Sequence, residues 1–108
     1  MTKTIDRKEL QALMENSKSP LLIEALPAKY YAEGHLPGAR NLPHDAVKEK
    51  AALVAPDKDA PIVVYCASET CRNSHQAAAQ FSALGYSDVA VYPGGKKDWE
   101  EAGLDFEK

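Results

Sequence analysis

The sequence predicts an α/β fold: a mostly parallel sheet covered by helices on both faces. Short apolar runs rich in Leu, Ile and Val alternate along the chain with segments of helical periodicity, the order that builds parallel sheets. The runs are nearly all apolar, as strands buried on both faces require. The length of 108 residues fits one domain, and a chain of that size buries roughly two-thirds of its unfolded surface.

The chain opens on a helix start. Asp6 and Glu9 stand three positions apart, the spacing of a capping box, with Ile5 and Leu10 at the staple positions. Leu10, Leu13 and Met14 mark one apolar face. The helix should stop near Ser17, because Pro20 disfavours helix in the residue before it. LLIEA, residues 21–25, lies between Pro20 and Pro27 and reads as a buried strand. One helical turn over 28–33 ends at Gly34, and a very short strand is expected near Ala39 to Leu42. A helix from Asp45 to Val54 places Val47, Ala51 and Val54 on one side. IVVYC, residues 62–66, is the clearest strand because it is rich in β-branched residues. A polar loop, ASETCR, leads into a helix from Asn73 to Leu84, with Ala77, Ala78, Phe81 and Leu84 inward and Gly85 as its stop. VAVY (89–92) is a last strand, PGG a turn and KKDWEEAG a final short helix.

Composition narrows the function. Hydrophobic residues make up 44% and charged residues 27%, a globular and not a disordered profile. Sixteen acids against thirteen Lys and Arg leave a net charge of −3, and no basic stripe interleaved with aromatics marks a nucleic-acid partner. No apolar run nears the ~20 residues that cross a bilayer, so no membrane partner is expected. The opening MTKTIDRKELQ is charged where a signal peptide would be apolar, which points to the cytoplasm. Two cysteines, Cys66 and Cys71, are too few for a disulfide framework or a structural zinc site. No metal or cofactor is implied. What remains is a thiol that reacts or a thiol that packs.

In open parallel sheets ligands bind beyond the carboxyl ends of the strands. Cys66 ends the most hydrophobic strand, and a helix begins seven residues later. Loop N–H groups can converge there, and the following helix N-terminus adds partial positive charge. Both effects would lower the thiol pKa from ~8.5 toward or below neutrality. Arg72 adds a cation at the end of the loop. The set suits a nucleophile that attacks or carries an anionic group. The competing reading is a cysteine that closes a buried strand as a small hydrophobe.

VVYC with its loop and helix, YAEGHLPGARNLP (31–43) and YPGGKKDWEEAGL (92–104) together resemble a single-domain rhodanese over nearly the whole chain. The resemblance implies a three-layer fold around a central, mostly parallel five-stranded sheet. It implies a sulfurtransferase in which Cys66 is the nucleophile. Cys66 would hold sulfane sulfur as a persulfide, taken from thiosulfate, polysulfide or a protein persulfide and passed to a thiol or cyanide. Ala67, Ser68, Glu69, Thr70, Cys71 and Arg72 then form the substrate-binding loop. The expected partners are small sulfur-containing anions or a thiol or persulfide acceptor, with the chain a monomer or weak homodimer.

Three departures from that family pattern stand out. Where the family carries Asp-x-Arg after its first strand, this chain has Glu24, Ala25 and Leu26. The acid survives in type and the arginine is missing. Cys66 through Arg72 also reads as a seven-residue C-x5-R loop, which resembles the dual-specificity phosphatases and arsenate reductases of the same fold. Glu69 cancels Arg72 in the local charge, and Tyr65 stands where those phosphatases carry histidine. Third, Cys71 sits in the loop, either as a packing residue or as a resolving thiol for an adduct on Cys66. A non-catalytic sulfur-carrier or interaction module is a further alternative, against which the retained Cys66 argues.

Other candidates carry less. His35 reads as a structural hydrogen-bonding residue, His44 as a residue at a helix entrance near the surface, and His75 as a first-turn residue on either side of its helix. Ser68, Thr70 and Ser74 could donate to an oxyanion, or Ser74 could cap backbone groups. Trp99 reads as a core anchor, and the Lys96–Lys97 pair as a solvated face that could attract anions.

Overall fold

The computed structural model describes residues 3–15 and 20–108. In chain order the elements are β1 (Lys3–Thr4), α1 (Arg7–Glu15), β2 (Leu21–Glu24), α2 (Ala28–Glu33) and β3 (Arg40–Asn41). A 3₁₀ turn (His44–Ala46) follows, then α3 (Val47–Val54), β4 (Ile62–Tyr65), α4 (Asn73–Ala83), β5 (Val89–Tyr92) and α5 (Gly95–Glu101). The five strands lie in the order β1-β5-β4-β2-β3, and every strand pair is parallel. The expected α/β, three-layer architecture is present.

Period-two geometry splits the strand residues between two cores. Ile62 and Val64 of β4 and Val89 and Val91 of β5 pack with Val47 and Ala51 of α3 and Ala77, Ala78 and Phe81 of α4. Val63, Tyr65, Ala90 and Tyr92 point to the other face, against Leu10 of α1 and Trp99 of α5. Trp99 is therefore the core anchor its sequence context suggests. Its indole N–H donates to Asp105 O at 3.0 Å.

The helix start at Asp6 is a true capping box. Glu9 N–H donates to Asp6 Oδ1 at 2.8 Å, and Asp6 N–H to Glu9 Oε1 at 3.3 Å. Ile5 and Leu10 join one core cluster, but Leu13, expected on the apolar face, is exposed. Only Leu10 and Met14 of that face turn toward the sheet. The expected stop at Ser17 lies outside the described residues. β1 has no counterpart in the sequence reading, since two residues are too few to show a period. The helix expected from Asp45 begins instead with the 3₁₀ turn and becomes α-helical at Val47.

His35 is buried, stacks on the Tyr31 ring with centroids 3.8 Å apart, and lies 3.1 Å from Tyr31 O through Nδ1. Its backbone exchanges hydrogen bonds with Glu107. That is the structural role expected for it. Among the described residues no helix is long and apolar enough to cross a membrane.

Candidate active site

The site is built at the carboxyl edge of the sheet, where β4 and β5 end side by side with Tyr65 opposite Tyr92. Cys66 is the first residue after β4, one position beyond the strand that the sequence assigned it to. Its backbone is held from the neighbouring strand's connection. Lys96 N–H donates to Cys66 O at 3.0 Å, and Lys97 N–H donates to Ala67 O at 2.9 Å. Gly95, at φ +60°, makes this approach possible, because a Cβ there would lie 2.2 Å from Cys66 O. Gly95 is thus the first residue of α5 and not part of the turn before it.

The Cys66 side chain points inward and the residue is 1% exposed. The thiol proton has two acceptors within reach, Cys71 O at 3.4 Å and Ser74 Oγ at 3.3 Å. Ser74 is fully buried and makes no side-chain cap on α4; its hydroxyl is spent on the sulfur. Within the loop, Cys71 N–H donates to Ser68 O at 3.0 Å, closing a turn. The Ser68 and Thr70 hydroxyls pair with each other at 3.0 Å on the exposed side.

This arrangement overturns the expected depressed thiol. Burial pushes the Cys66 thiol up, the Cys71 side chain adds to the rise, and hydrogen bonds from Ser74 pull back only in part. The physical reason is that removing a charge from water outweighs the few N–H and O–H groups aimed at the sulfur. Arg72 is exposed at the N-cap of α4, and Cys71 N–H is taken by Ser68 O. Alkylation of Cys66 in a Cys71→Ser background is therefore expected to follow a titration midpoint above the ordinary thiol value of ~8.5. Iodoacetamide rates between about pH 6 and 10 measure it, and a midpoint near neutrality contradicts the geometry.

Of the predicted loop only Cys71, through its carbonyl, meets the Cys66 sulfur, where it is joined by Ser74 of α4. Ala67, Glu69, Thr70 and Arg72 are exposed and Ser68 half-buried. Ser68, Glu69 and Thr70 line a cavity of about 260 Å³ together with Gly94, Lys97, Asp98 and Glu101. His75 is exposed on the first turn of α4. His44 is half-buried, with its carbonyl accepting from Gln80 Nε2 at 2.8 Å.

Sequence reading missed a buried charge network beneath the site. Glu24, at the end of β2, is fully buried. Its Oε1 accepts from Tyr65 OH at 2.9 Å, and Tyr65 OH in turn accepts from Leu36 N–H at 3.1 Å. Its Oε2 has no well-directed donor and is balanced by the Lys96 ammonium 3.1 Å away. Lys96 Nζ also donates to Tyr30 O at 2.6 Å. Lys96 is therefore not on a solvated face; Lys97, beside it, is exposed. Leu26, standing where a family arginine is expected, is buried, so the cation for Glu24 comes from α5. Burial holds the Glu24 carboxyl above its ordinary value despite Tyr65 and Lys96. The one signal in the sequence was an acid inside the apolar run LLIEA, which must find a partner.

A sheet with this strand order, a cysteine heading the β4–α4 loop and a helix N-terminus behind it define a thiol-bearing α/β domain. The chain belongs to the rhodanese-like domain family, whose profile matches residues 6–102. It is 38% identical over 76 residues to the thiosulfate sulfurtransferase PspE of Escherichia coli (strain K12), covering 70% of each chain. It is 33% identical over 92 residues to the thiosulfate sulfurtransferase GlpE of Pseudomonas paraeruginosa, covering 85% of this chain and 78% of that one. Among solved structures, the rhodanese with anions from E. coli superposes with a TM-score of 0.65 at 37% identity, over 73% of this chain and 89% of that one. The BH2092 protein from Bacillus halodurans shares the fold with a TM-score of 0.87 at 24% identity, over 97% of this chain and 76% of that one.

Proposed function

We propose that Cys66 carries sulfane sulfur as a persulfide between a small donor and a thiol or cyanide acceptor. The enzyme class is the rhodanese-type sulfurtransferase. The observation that carries the reading is the free Cys66 thiol at the head of the β4–α4 loop, with Ser74 Oγ 3.3 Å from its sulfur. The Cys66 thiolate attacks the sulfane sulfur of thiosulfate, polysulfide or a protein persulfide. A new S–S bond forms on Cys66 while the donor's S–S bond breaks, and sulfite, a shortened polysulfide or a protein thiolate leaves with the electron pair. The acceptor then takes the outer sulfur and returns the thiolate. The Ser74 hydroxyl can donate to that thiolate at each return. Relatives named thiosulfate sulfurtransferases support thiosulfate as a donor.

Intact mass after incubation with thiosulfate tests the reading. The protein is expected to gain about 32 Da, one sulfur, at the earliest times and durably in a Cys71→Ser background, and Cys66→Ser to gain nothing while keeping its fold. A gain that survives Cys66→Ser assigns the sulfur elsewhere. The C-x5-R reading, in which Arg72 would clamp phosphate or arsenate, draws no support from an Arg72 that stands exposed at the N-cap of α4.

A further inference from the structure

We propose that Cys71 resolves the persulfide on Cys66, releasing hydrogen sulfide and leaving a Cys66–Cys71 disulfide within the loop. The inference rests on the persulfide reading above and adds a second activity to the same site.

The loop's own geometry brings the two residues together. The turn closed by Cys71 N–H on Ser68 O, at 3.0 Å, folds the second half of the loop back over the first. Cys71 O then sits 3.4 Å from Cys66 Sγ. Both thiols are free. The Cys71 side chain is also among the neighbours that push the Cys66 thiol up. Access points the same way. Cys66 is 1% exposed, and the half-buried Cys71 is on the same loop, so the internal thiol competes with an external one at high effective concentration.

The step balances without an added oxidant. The Cys71 thiolate attacks Cys66 Sγ of the persulfide. The Sγ–Sγ bond forms, the bond to the outer sulfur breaks, and that sulfur leaves with the electron pair as hydrosulfide, taking a proton to become hydrogen sulfide. The sulfane sulfur is reduced by two electrons and the two cysteine sulfurs together are oxidised by two. Return to the dithiol takes a reducing dithiol, by ordinary thiol–disulfide exchange.

The full-length reduced protein, freed of external thiol and given thiosulfate, tests this by intact mass and a sulfide electrode. Wild type is expected to pass to a species about 2 Da lighter than the reduced chain while releasing one sulfide per chain. Cys71→Ser is expected to hold the roughly 32 Da adduct at least about tenfold longer and release no sulfide. Equal adduct lifetimes in the two proteins overturn the resolving role and leave the persulfide reading standing. No adduct in Cys71→Ser, and no sulfide from wild type, overturns both. Equilibration in an oxidising dithiol buffer gives an independent check: failure to form the intraloop disulfide there also overturns the proposal.

Discussion

Lys96→Met is expected to cost about 3–5 kcal/mol of folding stability at neutral pH, the penalty for stripping the partner from a buried charge. Glu24 has no exposed surface, and among the described residues the Lys96 ammonium, 3.1 Å away, is its ion-pair partner at Oε2. With methionine at 96, the carboxylate keeps the Tyr65 hydroxyl on Oε1 and has nothing on the other oxygen. Small domains have only about 5–15 kcal/mol in all, so the loss is a large share. The pH dependence has a definite sign. Burial raises the folded pKa of Glu24 above its ordinary value of 4.5. Its contribution is therefore fully present below pH 4.5 and is lost as pH rises through the folded value. Removing Lys96 raises that folded value further, so wild type and variant should converge as the pH falls. Urea denaturation at about pH 5 and pH 8 reads both effects, and Glu24→Gln in the Lys96→Met background should recover most of the loss, because no charge is then left buried. A cost below about 1 kcal/mol at pH 8, with no narrowing in acid, would show that the pair behaves as a surface ion pair.

Gly95→Ala is expected to damage stability and sulfur uptake together. The new Cβ would lie 2.2 Å from Cys66 O and 3.0 Å from Cys66 C, both backbone atoms that no rotamer change can clear. The φ of +60° adds the left-handed penalty of roughly 1–2 kcal/mol for a residue with a side chain. Relief requires α5 to retreat from β4, which breaks the hydrogen bond from Lys96 N–H to Cys66 O and displaces the sulfur. A total of about 2–4 kcal/mol and loss of most persulfide formation are expected. Gly38→Ala is the control. Its φ is +80° but nothing lies within 4 Å of its Cβ, so it carries the conformational penalty without the collision. If both variants lose the same stability and both take up sulfur normally, the contact between Gly95 and Cys66 has no part in placing the thiol.

The fold was largely legible because its signals are local. The apolar runs over 62–66 and 89–92 and the Ala77, Ala78, Phe81 face mark themselves by period, and the Asp6–Glu9 pair marks a helix start. β1 was not legible, since Lys3 and Thr4 become a strand only by lying beside Ala90 and Val91. The position of Cys66 was also local and came through within one residue. Its electrostatics were not. Whether loop N–H groups aim at a sulfur or at Ser68 O depends on a turn that residue types do not specify. Lys96 illustrates the same limit. In the sequence it is one of two adjacent lysines on a short helix, and only the parallel order of β2, β4 and β5 carries it to Glu24, seventy-two positions away.

The two hydrogen bonds from Lys96 and Lys97 to Cys66 O and Ala67 O make the β4–α4 loop mechanically asymmetric. Its first two residues are riveted to the neighbouring helix, and the amides that could have met a ligand from that side are already occupied by protein carbonyls. Any widening that lets a donor reach the sulfur must therefore swing from the Ser68–Arg72 end, about a pivot at Ala67. That end is the half of the loop that carries Cys71.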